Sequence, residues 1–160
     1  MTAQAAIKDG DAGIADRRRW MGVLARAGRE ELEEAWTALP SKPAHRFMRA
    51  PEIGLVMVQA RAGGSGNPFN LGEMTVTRCA LRLDSGVVGF GYVQGRDKRR
   101  AELAAAFDAL LQTPETRDEV LRGVVEKLAA AQAERRALRS RKAASTKVEF
   151  FTMVRGDNPR

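Results

Sequence analysis

Apolar positions follow a helical spacing at both ends of the chain and a strand-like spacing in the middle. Trp20, Val23, Leu24 and Ala27 share one helix face, with Asp16 placed to cap that helix and Gly28 to break it. Leu32, Ala35, Trp36 and Leu39 repeat the spacing over residues 29–39. Arg29 and Glu33 stand there as an i,i+4 pair, and Pro40 and Pro43 end the helix. These segments predict a helical hairpin carrying both tryptophans. Residues 53–61 are almost continuously apolar, which predicts a strand covered on both faces. Residues 74–83 alternate, Asp84-Ser85-Gly86 is a tight turn, and residues 87–94 return as the hairpin partner. Gly89, Gly91 and Gly95 predict close approach by another backbone or a twisted, bulged strand. Asp97 can cap a helix over 98–112 with Leu103, Phe107, Leu110 and Leu111 as its stripe. Thr113-Pro114 then opens a last helix to about residue 139. Its stripe runs from Leu121 through Val124, Leu128 and Ala131 to Leu138, with Arg135 interrupting it. Residues 147–154 read as a final strand.

The order α-α-β-β-β-α-α-β predicts an α+β fold: an antiparallel sheet of about four strands, an N-terminal helical hairpin and two further helices. Residues 1–15 read as a disordered lead-in, 16–156 as one domain and 157–160 as a tail.

Residues 62–73 interrupt the pattern. They place Gly63, Gly64, Gly66, Gly72, Asn67, Asn70 and Pro68 between two strands, a connection about twice as long as a usual hairpin turn. Phe69 and Leu71 within it argue against disorder. The segment lacks the P-loop spacing and leads into a strand, so no helix dipole assists phosphate binding. Two readings stand. Its backbone N–H groups form an anion-binding nest, with Arg61 before it and Arg78 after it as bidentate phosphate ligands; or the loop packs on a neighbouring subunit. The candidate partner- or phosphate-contacting residues are therefore Arg61, Gly63, Gly64, Gly66, Asn67, Phe69, Asn70, Glu73 and Arg78.

The remaining candidate chemistry is sparse. Glu73 reads as a general base or as an arginine's partner, and Glu102 and Asp108 as solvated helix residues. His45 is the only histidine and reads as a surface residue; Cys79 is the only cysteine and reads as buried and inert. One cysteine rules out an intrachain disulfide and a cysteine-based metal centre, so no metal and no catalytic residue is assigned. The gly-x-gly series from Gly89 to Gly95 has the wrong spacing for a dinucleotide fingerprint and reads as structural.

Charge points towards anionic partners. The 160 residues carry a formal charge of +7. Basic runs at 17–19, 98–100 and 135–142 invite a nucleic-acid reading, but no helix-turn-helix, RNA-recognition or zinc-finger signature accompanies them. With no apolar leader or membrane-length apolar segment, a cytoplasmic protein is expected.

Several blocks together carry a resemblance: Arg17-Arg18-Arg19-Trp20-Met21, the run from Pro51 through Val58, and Pro68-Phe69-Asn70-Leu71-Gly72-Glu73 continuing to Arg78-Cys79. To these add Gly91-Tyr92-Val93-Gln94-Gly95-Arg96-Asp97 and Phe150-Phe151-Thr152-Met153-Val154-Arg155-Gly156. In this order the chain resembles the G subunit of the bacterial phosphonate carbon–phosphorus lyase system over roughly residues 16–156. The resemblance implies a subunit of a core complex with H, I and J subunits and a functional link to an L subunit. It implies support for the displacement of adenine from ATP by a phosphonate. It also implies no cofactor in this chain, with the iron–sulfur cluster and S-adenosylmethionine belonging to J alone. Residues 1–15 and the basic stretch 136–147 carry no part of it. The rival from another class is a basic nucleic-acid-binding or assembly adaptor without a catalytic role.

Overall fold

A computed structural model of the chain describes residues 3–146, with side chains from residue 13 onward. The helical hairpin is α1 (Ala3–Leu24) and α2 (Arg29–Ala38), followed by β1 (His45–Arg61), β2 (Pro68–Leu83) and β3 (Val88–Gln94). Then come α3 (Lys98–Gln112), α4 (Pro114–Val120) and α5 (Glu126–Ser145), the last two fused through a π-helical turn at Leu121–Val125. This is the expected α+β order. Among the described residues the sheet has three antiparallel strands, in the order β1-β2-β3, where about four were expected. The segment 147–154, read as a further strand, lies outside the described residues, as does the 157–160 tail.

Boundaries differ from the sequence reading at the N-terminus. Helix begins at Ala3, across most of the stretch read as a disordered lead-in, and Asp16 lies inside α1 rather than at its cap. Alanine at positions 3, 5, 6 and 12 gives that stretch good helix propensity. Downstream the local signals hold. Asp97 caps α3 by accepting the Arg100 N–H at 3.0 Å, and Pro114 occupies the first turn of α4.

The core is built around α3, which is buried on nearly every side. Ala101, Leu103, Phe107, Leu110 and Leu111 are all buried, together with the alanines between them. One side of α3 packs on β2 and β3, the other on α1, α2 and α4. Trp36 meets Phe107 edge-on at 5.7 Å between ring centroids, an aromatic geometry favoured by the ring quadrupole. Trp20, Val23, Leu24, Leu32, Val124 and Leu128 complete the apolar cluster.

Two glycines set the distance between helix and sheet. A Cβ on Gly91 would overlap the carbonyl oxygen of Ala101, and one on Gly89 that of Ala105. Gly89 and Gly91 therefore mark a close backbone approach, the first of the two readings the sequence left open, whereas Gly95 has open space and a φ of 96°. Among the described residues no helix covers the opposite face of the sheet. Strands β1 and β2 run on past β3, which pairs with β2 only from Val76 to Arg82.

Candidate functional site: a projecting ribbon and an open sheet face

The region read as a long loop is mostly strand. Only residues 62–67 connect β1 to β2, and Pro68 through Glu73 belong to β2. Proline is tolerated at the first position of a strand, and the irregular composition is absorbed by a register shift between Val58 and Gln59, opposite Leu71. Gly63 and Gly64 take φ values of 59° and 79°, the left-handed region that a tight connection needs and that glycine adopts without strain. Gly66 closes the turn with its N–H on the Ala62 carbonyl at 2.9 Å.

The candidate residues are spread along this ribbon. Arg61 donates to the Gly66 carbonyl at 3.0 Å and so fastens the turn. Asn67 is exposed in the turn, and Asn70 accepts from the Gln59 amide at 3.4 Å. Phe69 faces Ala60 across the strands and Glu73 faces Met57. Among the described residues Glu73 forms no ion pair with an arginine. Arg78 lies ten positions beyond Pro68, the partner of Arg61, which is about 30 Å of extended chain. It donates to Glu52 at 2.5 Å, and Arg49 stands 3.6 Å from the same oxygen. The structure thus brings Arg78 together with Glu52 and Arg49, and does not bring it together with Arg61. Glu52, Arg49 and Tyr92 were absent from the sequence-based set, because only strand register makes them neighbours of Arg78.

Past β3 no described element covers the ribbon. Leu55, Met57, Phe69 and Leu71 are 61%, 54%, 45% and 64% exposed. The apolar run of β1 therefore does not mark a strand buried on both faces. A two-stranded ribbon is marginal in water, and exposed large side chains at this density mark an interaction surface.

Several residues read as solvated are instead internal ties. Asp108 is fully buried. Its carboxylate accepts from Arg17 at 2.7 and 3.2 Å, Trp20 Nε1 at 2.8 Å, the Phe90 N–H at 2.9 Å and Gln112 Nε2 at 3.2 Å. It joins α1, α3 and β3 at one point, and its lone pairs are occupied. Glu102 is held by Arg99 at 2.9 Å and stands 3.7 Å from His45 Nε2. Glu33 pairs with Arg99 at 2.9 and 3.2 Å rather than with Arg29, and the Arg99 hydrogen bonds hold its carboxyl below the usual range. Arg100 donates to the Ala25 carbonyl at 2.5 Å, and Arg135 to Glu31 at 2.7 Å. Each basic run of the sequence therefore contributes an arginine to the fold itself.

Cys79 is buried beneath α3, and burial pushes its thiol up to about 11, with the Glu102 charge adding to the effect. A thiol so held is neutral at neutral pH and a poor nucleophile. Among the described residues no group of three or more His, Cys, Asp or Glu side chains could hold a metal ion. None of the described helices is long and apolar enough to cross a membrane.

A model of the phosphonate metabolism protein PhnG family matches residues 15–156. Alpha-D-ribose 1-methylphosphonate 5-triphosphate synthase subunit PhnG of Rhizobium meliloti (strain 1021) is 49% identical over 148 residues, which cover 92% of this chain and 94% of that protein.

Proposed function

The chain belongs to the PhnG family of phosphonate metabolism proteins, and on that footing we propose that it is a subunit of the synthase that makes ribose 1-methylphosphonate 5-triphosphate, reaching its neighbours through the β1–β2 ribbon. The observation that carries this reading is the ribbon itself: Leu55, Met57, Phe69 and Leu71 stand exposed on strands that no third strand or helix supports among the described residues. A partner surface would cover those side chains and order the ribbon.

The reaction in this reading is displacement of adenine from ATP by methylphosphonate. A phosphonate oxygen forms a bond to the anomeric carbon and the bond from that carbon to adenine breaks. Adenine leaves with the electron pair and takes up a proton, while the triphosphate stays on the ribose. The chain supports that step within a cytoplasmic carbon–phosphorus lyase core complex with H, I and J subunits and a link to L. ATP and phosphonate are substrates of the complex, and this chain contributes no cofactor. The reading fits a chain whose Cys79 is a buried neutral thiol and whose Asp108 is consumed in packing. The separation of Arg61 from Arg78 favours docking over a shared phosphate site for most of the ribbon.

The test is reconstitution from ATP and methylphosphonate with three sets of subunits: complete, lacking this chain, and this chain alone. Product from the complete set only is expected. Full activity without this chain would overturn the reading, and product from this chain alone would make it the catalyst.

A further inference from the structure

The open face of the sheet has a composition of its own. Strand register places Glu52, Arg78 and Tyr92 side by side in one row across β1, β2 and β3. The next row is Arg49, Ala80 and Phe90, and the third sets Arg46 directly against Arg82. Tyr92 and Phe90 are 45% and 47% exposed. Met21 of α1 borders the same hollow, with Ala80 at its floor.

Two features ask for a counterpart. Like charges directly opposite on neighbouring strands destabilise a sheet, yet Arg46 and Arg82 stand so. Glu52 is the carboxylate of this face and is already engaged by Arg78 and Arg49. Among the described residues neither Arg46 nor Arg82 has an ion-pair partner. The second feature is residue type. Tyrosine, phenylalanine, methionine and arginine are the side chains enriched where proteins bury surface against one another. A small-molecule site would instead enclose its ligand, whereas this hollow lies open to solvent. Here the rings stand half exposed on a sheet face.

We infer that the open sheet face docks a neighbouring subunit through a surface that is apolar where it meets Phe90 and Tyr92 and carries carboxylates where it meets Arg46 and Arg82. This rests on the proposed role as a synthase subunit, and it adds a second contact surface to the ribbon. The charge excess decides the occupant: a second copy of this basic face would repel the first, whereas an acidic rim neutralises it.

The experiment co-expresses the tagged full chain with the other synthase subunits and measures what co-purifies. The double variant Arg46→Glu/Arg82→Glu should weaken assembly at least about tenfold, the scale of an interfacial hot spot. Tyr92→Ala should weaken it through lost packing, without the added repulsion. Both sites are exposed, so circular dichroism and Tm of the free chain should match wild type. Wild-type assembly should also weaken as salt rises, and a benzophenone amino acid at position 92 should cross-link to another subunit. Unchanged assembly of the folded double variant overturns the inference and leaves the subunit role intact. A wild-type chain that co-purifies with none of the subunits overturns both. Binding of inorganic tripolyphosphate that is lost in Arg49→Ala/Arg78→Ala, with assembly unchanged, replaces the docking face with a small-anion site.

Discussion

The two halves of β2 have opposite surroundings. From Cys79 to Leu83, every second side chain lies under α3: Cys79, Leu81 and Leu83 are buried, and Gly89 and Gly91 of the next strand let the helix backbone come close. From Pro68 to Glu73, the same strand carries Phe69 and Leu71 exposed, paired among the described residues only to β1. Alternating apolar residues thus serve two ends within one strand. The packed half stabilises the domain by removing apolar surface from water. The ribbon half keeps its apolar surface exposed among the described residues, and that surface is the one proposed to meet another chain. The difference lies in what covers the strand, since the residue types are similar.

That contrast predicts a graded series of effects on stability. The largest belongs to Gly91. A valine there would drive its side chain into the Ala101 carbonyl, and α3 would have to leave the sheet. Gly91→Val should cost more than about 4 kcal/mol, the range of severe core overpacking, and yield a chain that does not fold cooperatively in urea. A well-folded Gly91→Val protein would show that α3 and β3 are not held as closely as described. Asp108→Ala comes next. It leaves the Arg17 guanidinium, Trp20 Nε1 and the Phe90 N–H without their acceptor. Arg17 is about a third exposed and can turn to water, so a loss near the lower end for broken buried pairs, about 3 kcal/mol, is expected. Thermal melts should record it as a drop of several degrees.

How much of this was legible in the sequence follows from the same contrast. The stripes of Trp20, Leu32 and Phe107, the Asp97 cap, the proline opening α4 and the glycines of β3 are local signals with local causes, and α2, α3 and the start of α4 formed where they were read, while α1 begins well before its expected cap. Asp108 was misread because nothing near it in sequence shows that Trp20, 88 positions away, will donate to it. The ribbon was misread for a different reason. Glycine, asparagine and proline usually punctuate loops, but a ribbon whose described side chains are exposed or only partly buried has no packed core to exclude them. Arg78 was found by its block and placed with the wrong companions, because Glu52 and Tyr92 reach it only through register. Sequence spacing reports what a residue does within its own element. It does not report which element will lie across from it.

A smaller effect separates ties within the fold from surface charge. Glu31 accepts from Arg135 and from the Gly28 N–H, and the Arg135 hydrogen bond, with the Gly28 N–H next, holds its carboxyl below the ordinary range. A depressed folded value means the contribution is fully present above the unfolded carboxyl value and is lost as pH falls through the folded one. Arg135→Ala should therefore lower Tm at neutral pH by a small fraction of the Asp108→Ala effect. The gap between variant and wild type should stay constant down to about pH 5 and close below about pH 4. A gap that widened in acid would mean Arg135 acts through something other than Glu31.

The smallest effect on stability tests the contrast most directly. Leu55→Asp/Leu71→Asp changes two side chains that are 61% and 64% exposed. If the ribbon is supported only by another subunit, the free chain loses almost nothing: the double variant should match wild type within about 0.5 kcal/mol in urea unfolding, the usual range for surface changes. A Leu81→Asp control, two positions into the packed half of β2 from Cys79, should fail to fold, because Leu81 is fully buried. In the co-purification assay the order reverses for the soluble variants. Leu55→Asp/Leu71→Asp should lose its neighbours by more than about tenfold, since two apolar anchors would then bring carboxylates into a buried contact. A ribbon variant that is destabilised as a free chain would place the ribbon in the domain's own core. One that is stable and still assembles would leave the exposed leucines without a partner, and the division of β2 into a folding half and a docking half would fall.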